Sequence, residues 1–176
     1  GSYSLTEYVY DLTGLMRTLG AQKATLVGHS MGGMVSLIYS GAFPETVDRL
    51  VVLDGVTVLP NATRAPPHER IAKWVGQLDD LRARAPRRYR SLDEAAAQMI
   101  AHNKRLPADL ALHLATHGAR RNEDGTYSWK FDPYQRTMAP HRLWSDDHVA
   151  LWARIACPVL LLNASESFLG GSRAAG

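Results

Sequence analysis

The sequence predicts an α/β protein built on a parallel sheet, and three observations carry that expectation. Segments with apolar residues at helical spacing alternate with short, continuous, β-rich apolar runs, the pattern of strands covered by helices on both faces. One serine, Ser30, stands among glycines where such a run meets a helical pattern. Residues 59–144 then change composition, as an insertion into the α/β pattern would.

The elements follow in order. Ser4-Leu-Thr-Glu7 has the form of a capping box. Leu5, Tyr8, Val9, Leu12, Leu15, Met16 and Leu19 recur at helical spacing, with Gly20 as a stop. "KATLVG" (23–28) reads as a strand, 31–43 as a helix ended by Pro44, and "DRLVVLDGV" (48–56) as a second buried strand. Residues 1–58 thus form the first part of the α/β core.

Residues 59–144 open with "LPNATRAPPHER", rich in proline and turn formers. Helical patterns follow at about 67–84, 91–105 and 107–117, with Ser91-Leu-Asp-Glu94 as another capping box. "NEDGTYSWKFDP" places an Asp124-Gly125 turn between short polar-aromatic runs and suggests a small hairpin. Residues 145–176 return to the core. Ser145 is expected to cap a helix carrying Val149, Leu151, Trp152 and Ile155, and "CPVLLLN" (157–163) to form a third buried strand. The final "GGSRAAG" reads as irregular.

Composition narrows the class. The net charge of +3 is far too small to argue for nucleic acid. Cys157 is the single cysteine, which rules out an internal disulfide framework. No apolar run approaches the roughly 18 residues of a membrane span, and no secretory signal is visible, so a cytoplasmic location is expected. Asn61-Ala-Thr63 and Asn163-Ala-Ser165 match the glycosylation pattern by chance on this reading.

Gly28-His-Ser30-Met-Gly32 is G-x-S-x-G, placed after a strand and before a helix. A serine there sits on a sharp, strained turn with its hydroxyl clear of the sheet. Gly28 and Gly32 are expected to let strand and helix backbones nearly touch. The helix N-terminus turns its free N–H groups toward Ser30, and the Met31 N–H is the candidate oxyanion donor.

These residues resemble the α/β-hydrolase family. "LVGHSMGGMVSLIYSGAFPETVDRLVVLDG" is similar to that family along its length, "IACPVLLLNASESF" looks like its next core strand, and 59–144 sits where many members carry a helical cap. The resemblance implies a partial α/β-hydrolase sheet with an inserted cap. It also implies an elbow serine acting by acyl transfer on an ester, amide or related small molecule, without metal or other cofactor. His29 would then pack beside the substrate. The dehalogenase and epoxide-hydrolase branches, which place an aspartate at the serine's position, are disfavoured.

A serine needs a base, and the base needs an acid to orient it. The family's commoner acid site follows the strand at 157–163, where this chain has Ser167 with Glu166 beside it. The other site ends the strand after the elbow, and Asp54 occupies it. Asp54 is favoured over Glu166. None of the seven histidines presents itself as the base: His29 lies inside the motif, and His68, His102, His113, His117, His141 and His148 fall in or beside the insertion. The resemblance places the base, and the loop with the second oxyanion donor, outside these residues, so the chain reads as an internal piece of a larger hydrolase.

His113 and His117 have a metal-compatible spacing but lack the glutamate of the zincin motif and an evident third ligand. Arg82, Arg84, Arg87, Arg88 and Arg90 read as a solvated face. Trp129 is the best tryptophan for a pocket wall, and Trp152 belongs in the core. Carboxylic-ester hydrolysis through Ser30 is the expected activity. Thioester, amide and carbon–carbon hydrolysis use the same chemistry, and the rival reading is a non-catalytic piece that binds a ligand or partner.

Overall fold

The computed structural model describes residues 3–55, 65–137, 143–165 and 167. The elements are α1 (Leu5–Thr18), β1 (Ala24–His29), α2 (Met31–Ala42), β2 (Val47–Leu53), α3 (Pro67–Ala83), α4 (Leu92–His102), α5 (Ala108–Gly118), β3 (Ala119–Arg121), β4 (Tyr127–Trp129), α6 (Ser145–Trp152) and β5 (Val159–Leu162). They divide into two compact units, one of residues 1–72 with 138–176 and one of residues 73–137.

The first unit holds a three-stranded parallel sheet in the order β1-β2-β5. All three strands end at one edge, with His29 opposite Leu53 and Leu53 opposite Leu162. Parallel neighbours need a crossover, and α2 provides it between β1 and β2. α1 begins at a full capping box: Ser4 Oγ accepts the Glu7 N–H at 3.2 Å, and Glu7 Oε2 accepts the Ser4 N–H at 2.8 Å. Met16, Leu37 and Tyr39 from α1 and α2 share a core with Leu26, Val47, Leu50 and Val52 of the sheet. Trp152 packs against that core, as expected.

Three local expectations change. Among the described residues the expected cover on both sheet faces is seen on one, where α1 and α6 pack on α2 and share its core with the sheet. On β1, Leu26 and Gly28 are buried while Thr25, Val27 and His29 are exposed, Val27 at 64%. The expected third buried strand is β5, yet its four apolar residues are 43–51% exposed, because β5 pairs only with β2 among the described residues. Ser145 is the first residue of α6 rather than its cap; Trp144 holds that place, and its N–H donates to Asp147 Oδ2 at 2.8 Å.

In the second unit, α4 and α5 pack through alanines. Ala95, Ala111 and Ala115 are fully buried, which lets the two backbones approach closely. The expected hairpin is β3–β4, antiparallel, turning at Asp124-Gly125 with Gly125 at φ +81°. Tyr89 bridges to Tyr127 and is buried with those alanines.

The α2–α6 contact buries polar atoms. Ser40 Oγ, His148 Nδ1 and Trp152 Nε1 are enclosed with no hydrogen-bond partner among the described residues. Burial holds the His148 imidazole below the usual histidine range, against a weaker upward pull from Asp147. The folded chain therefore binds fewer protons than the unfolded chain once the pH drops below about 6.5. Stability contributed by neutral His148 is present above that pH and declines as the pH falls toward the depressed folded value. Urea midpoints measured between pH 7.5 and 5 are expected to fall for the wild-type chain and to fall less for His148→Gln. Equal slopes would show that His148 does not carry the acid sensitivity.

Candidate active site

Ser30 is the one residue between β1 and α2, and its backbone has φ 51° and ψ −120°. Only Ser30 and Asp54 adopt positive φ among the described non-glycine residues. Such geometry is costly for an L-residue and persists where the surroundings over-determine it. Here the Ser30 N–H donates to Leu53 O at 2.9 Å, continuing the β1–β2 ladder. The Ser30 carbonyl accepts the N–H groups of Gly33 at 3.0 Å and Met34 at 3.2 Å, which starts α2 at once. The serine is pinned from both sides, and its side chain is exposed.

Close backbone contact makes this turn possible. A Cβ on Gly28 would lie 2.4 Å from the Gly32 carbonyl oxygen, and one on Gly55 would lie 2.6 Å from that of Ser30. Gly33 and Gly55 meet almost backbone to backbone, a Cβ on Gly55 falling 3.0 Å from Gly33 Cα. Gly32 departs from expectation, since a Cβ there meets nothing within 4 Å. Gly32 is approached by Gly28 without needing to be small itself. Gly55 is the contact that sequence reading missed; its signal was a glycine directly after a strand-ending aspartate.

Met31 opens α2 with its side chain half-exposed, and helix geometry leaves the Met31 and Gly32 N–H groups without an intrahelical acceptor. They lie at the positive end of the α2 dipole, beside Ser30. Asp54 follows the last residue of β2, and its N–H donates to Leu162 O at 2.7 Å. Its carboxylate accepts the Ala164 N–H on Oδ1 at 3.3 Å and the Ser167 hydroxyl on Oδ2 at 2.5 Å. Ser30 and Asp54 thus end neighbouring strands at one sheet edge, the edge where open α/β sheets bind ligands. Glu166, the other acid candidate, lies outside the described residues.

The remaining candidates fall as follows. His29 is exposed at the end of β1, next to the serine. Trp129 lies in the second unit, edge-on to Tyr89 at 5.8 Å between ring centroids, and its indole N–H donates to the Tyr89 hydroxyl at 3.1 Å. That packing accounts for a tryptophan at 129 without a substrate. Among the described residues, no histidine is hydrogen-bonded to Ser30 or Asp54. The His113 and His117 rings lie 4.5 Å apart, and the described residues hold no cluster of three metal-ligating side chains. Within the basic run, Arg87 bonds Gln98, Arg88 pairs with Asp124, and Arg90 meets Glu94 at 3.3 Å. No described helix is long and apolar enough to cross a membrane.

Known proteins match this architecture. A family model described as the alpha/beta hydrolase fold matches residues 1–167. A hypothetical protein from Pseudomonas aeruginosa PAO1 superposes with a TM-score of 0.83 at 27% identity, covering 97% of this chain and 60% of that one. The thioesterase domain from the curacin biosynthetic pathway superposes with a TM-score of 0.78 at 19% identity, over 96% of this chain and 59% of that domain, a likeness of fold alone. A 2-hydroxy-6-oxononadienedioate/2-hydroxy-6-oxononatrienedioate hydrolase of Paraburkholderia phymatum is 40% identical over 69 residues, 39% of this chain and 24% of that enzyme. The chain therefore spans only part of the length of the relatives and structures it matches.

The glycine geometry yields a contrast in stability. Gly28→Ala drives a methyl group into the α2 backbone, and overpacking of this kind costs about 1–3 kcal/mol or more. Gly32→Ala meets open space and trades glycine for a better helix former, a gain of up to about 1 kcal/mol. Urea unfolding of the two variants should separate them in that order; a Gly28→Ala chain as stable as wild type would contradict the close approach.

Proposed function

The chain belongs to the α/β-hydrolase fold family, and from that membership we propose that it carries the nucleophile and acid of a serine hydrolase acting on carboxylic esters. The observation that carries the reading is the placement of Ser30. Its hydroxyl is exposed on a strained strand-to-helix turn, at the N-terminus of α2, beside the strand end that bears Asp54.

In this reading Ser30 Oγ attacks the ester carbonyl while a histidine takes its proton. The carbonyl oxygen becomes an oxyanion facing the Met31 N–H, which the α2 dipole reinforces. Collapse expels the alcohol, which receives the proton from the histidine, and leaves an acyl group on Ser30. Water, deprotonated by the same base, then releases the acid. Asp54 accepts the other ring N–H of the histidine, fixing its tautomer and stabilising its cation. We assign the histidine to the part of the whole protein beyond the described residues, in keeping with the 60% of the Pseudomonas structure that this chain spans. The hydrolase named among the relatives supports hydrolytic chemistry in general; the ester class rests on the family resemblance. The insertion at 59–144 is proposed as the helical cap that the family resemblance implies.

The rival reading is a protein of this fold that binds a ligand or partner without turnover. A fluorophosphonate probe and a panel of p-nitrophenyl esters decide between them. The full-length protein should be labelled at Ser30 and turn over esters, and Ser30→Ala should abolish both. Asp54→Asn should lower turnover on the order of a hundredfold or more, as loss of a triad acid does. A full-length protein that neither labels nor turns over would support the binding reading.

A further inference from the structure

The surroundings of Asp54 contain a device that the triad reading does not by itself require. The Ser167 N–H donates to Ala164 O at 3.2 Å. Ala164 and Ser167 grip the same carboxylate. Ala164 donates its N–H to Oδ1 at 3.3 Å, and Ser167 donates its hydroxyl to Oδ2 at 2.5 Å. The second contact is short for a hydroxyl–carboxylate bond, and the first is long. Asp54 itself is half-buried, with φ +49°, and its N–H is held by Leu162. Its backbone is therefore fixed by β5, and its side-chain plane is fixed by Ala164 and Ser167, which follow β5.

We infer that Ser167 is a positioning residue, whose hydroxyl holds the Asp54 carboxylate in the plane from which it orients the catalytic base. The inference rests on the reading of Asp54 as the acid. A carboxylate has about four acceptor sites, two per oxygen. The clamp occupies one on each oxygen and leaves one on each for the base. Without the Ser167 hydroxyl, the long Ala164 contact is the one hydrogen bond among the described residues that restrains rotation about the Cβ–Cγ bond. The fraction of molecules with the carboxylate aimed at the base then falls. Asp54 touches the base rather than the substrate, so the loss appears in kcat and leaves KM in place.

The contact has a second consequence. The Ser167 side chain, from the segment after β5, meets that of Asp54, which follows β2. A carboxylate introduced at position 167 therefore starts within hydrogen-bonding distance of the place where the Asp54 carboxylate works. Asparagine tolerates positive φ, so Asp54→Asn preserves the backbone, and its amide donates to a carboxylate at 167.

The test uses the full-length protein, with ester turnover, KM and thermal midpoint measured for each variant. Ser167→Ala should lower kcat about tenfold or more, the effect of a misplaced catalytic group, with KM unchanged and any fall in thermal midpoint too small to account for the loss. Ser167→Thr, which keeps the hydroxyl, should restore most of kcat. Asp54→Asn with Ser167→Asp should regain about tenfold or more of what Asp54→Asn alone loses. A Ser167→Ala enzyme with full kcat, or one that loses thermal stability in step with activity, overturns the inference. So does a double variant no faster than Asp54→Asn. Turnover that survives Ser30→Ala or Asp54→Asn overturns instead the reading on which the inference rests.

Discussion

The site depends on how closely the N-terminus of α2 approaches the strand ends beside it. Gly28 permits β1 to run directly under the first turn of α2, and Gly55 permits the chain leaving β2 to touch Ser30 and Gly33. With a side chain at either place, α2 would start further from the sheet edge. Ser30 would then lose the bond that ties its N–H to Leu53, or those that tie its carbonyl to Gly33 and Met34. The strained φ of Ser30 is held by those three backbone bonds, so the close packing of three glycines becomes the exposure of one hydroxyl. The same approach aims the positive end of α2 at that hydroxyl.

Parallel pairing then sets what stands next to the serine. Neighbouring strands lie about 4.8 Å apart, and all three end at the same edge. Whatever follows β2 is therefore one strand spacing from Ser30, and whatever follows β5 is one more. Asp54 is fixed in this row by its N–H to Leu162 and by its contacts with Ala164 and Ser167. Both non-glycine residues with positive φ lie in this row, at the ends of β1 and β2. The backbone strain of the described residues is concentrated where the chemistry is proposed.

Much of this was legible in the sequence because it is local. Helical spacing from Leu5 to Met16, the run before Gly28 and the Ser4–Glu7 box each involve residues within a few positions of one another, and α1, β1 and the box formed there. The strand–Ser30–helix succession is local in the same way. What eluded the sequence depends on partners distant along the chain. β5 is as apolar as a buried strand, but burial requires neighbours, and among the described residues it has β2 alone. Gly32 reads like Gly28, yet only the path of the strand beneath decides which of them is crowded. The contact of Trp129 with Tyr89, 40 residues away, is invisible in any local window. His148 reads as a polar residue in the first turn of a helix, and only the packing of α6 on α2 buries it.

The choice between two acid positions has the same origin, and the structure turns it from a contest into a contact. In the sequence, Asp54 and Ser167 lie 113 positions apart, and the acid weighed against Asp54 is Glu166, the neighbour of Ser167. In space Asp54 directly follows β2 and Ser167 lies five residues beyond the end of β5, and their side chains meet. A base that meets a carboxylate from either strand end meets it at nearly the same point. On the proposed reading, one carboxylate at that point serves the base, and the position not carrying it can bind the one that does. The hydroxyl at 167 fills that second part: it is small enough to leave Asp54 room, and its proton is directed at the carboxylate oxygen. On this view Ser167 complements the acid at 54, and the pair forms one unit shared by β2 and β5.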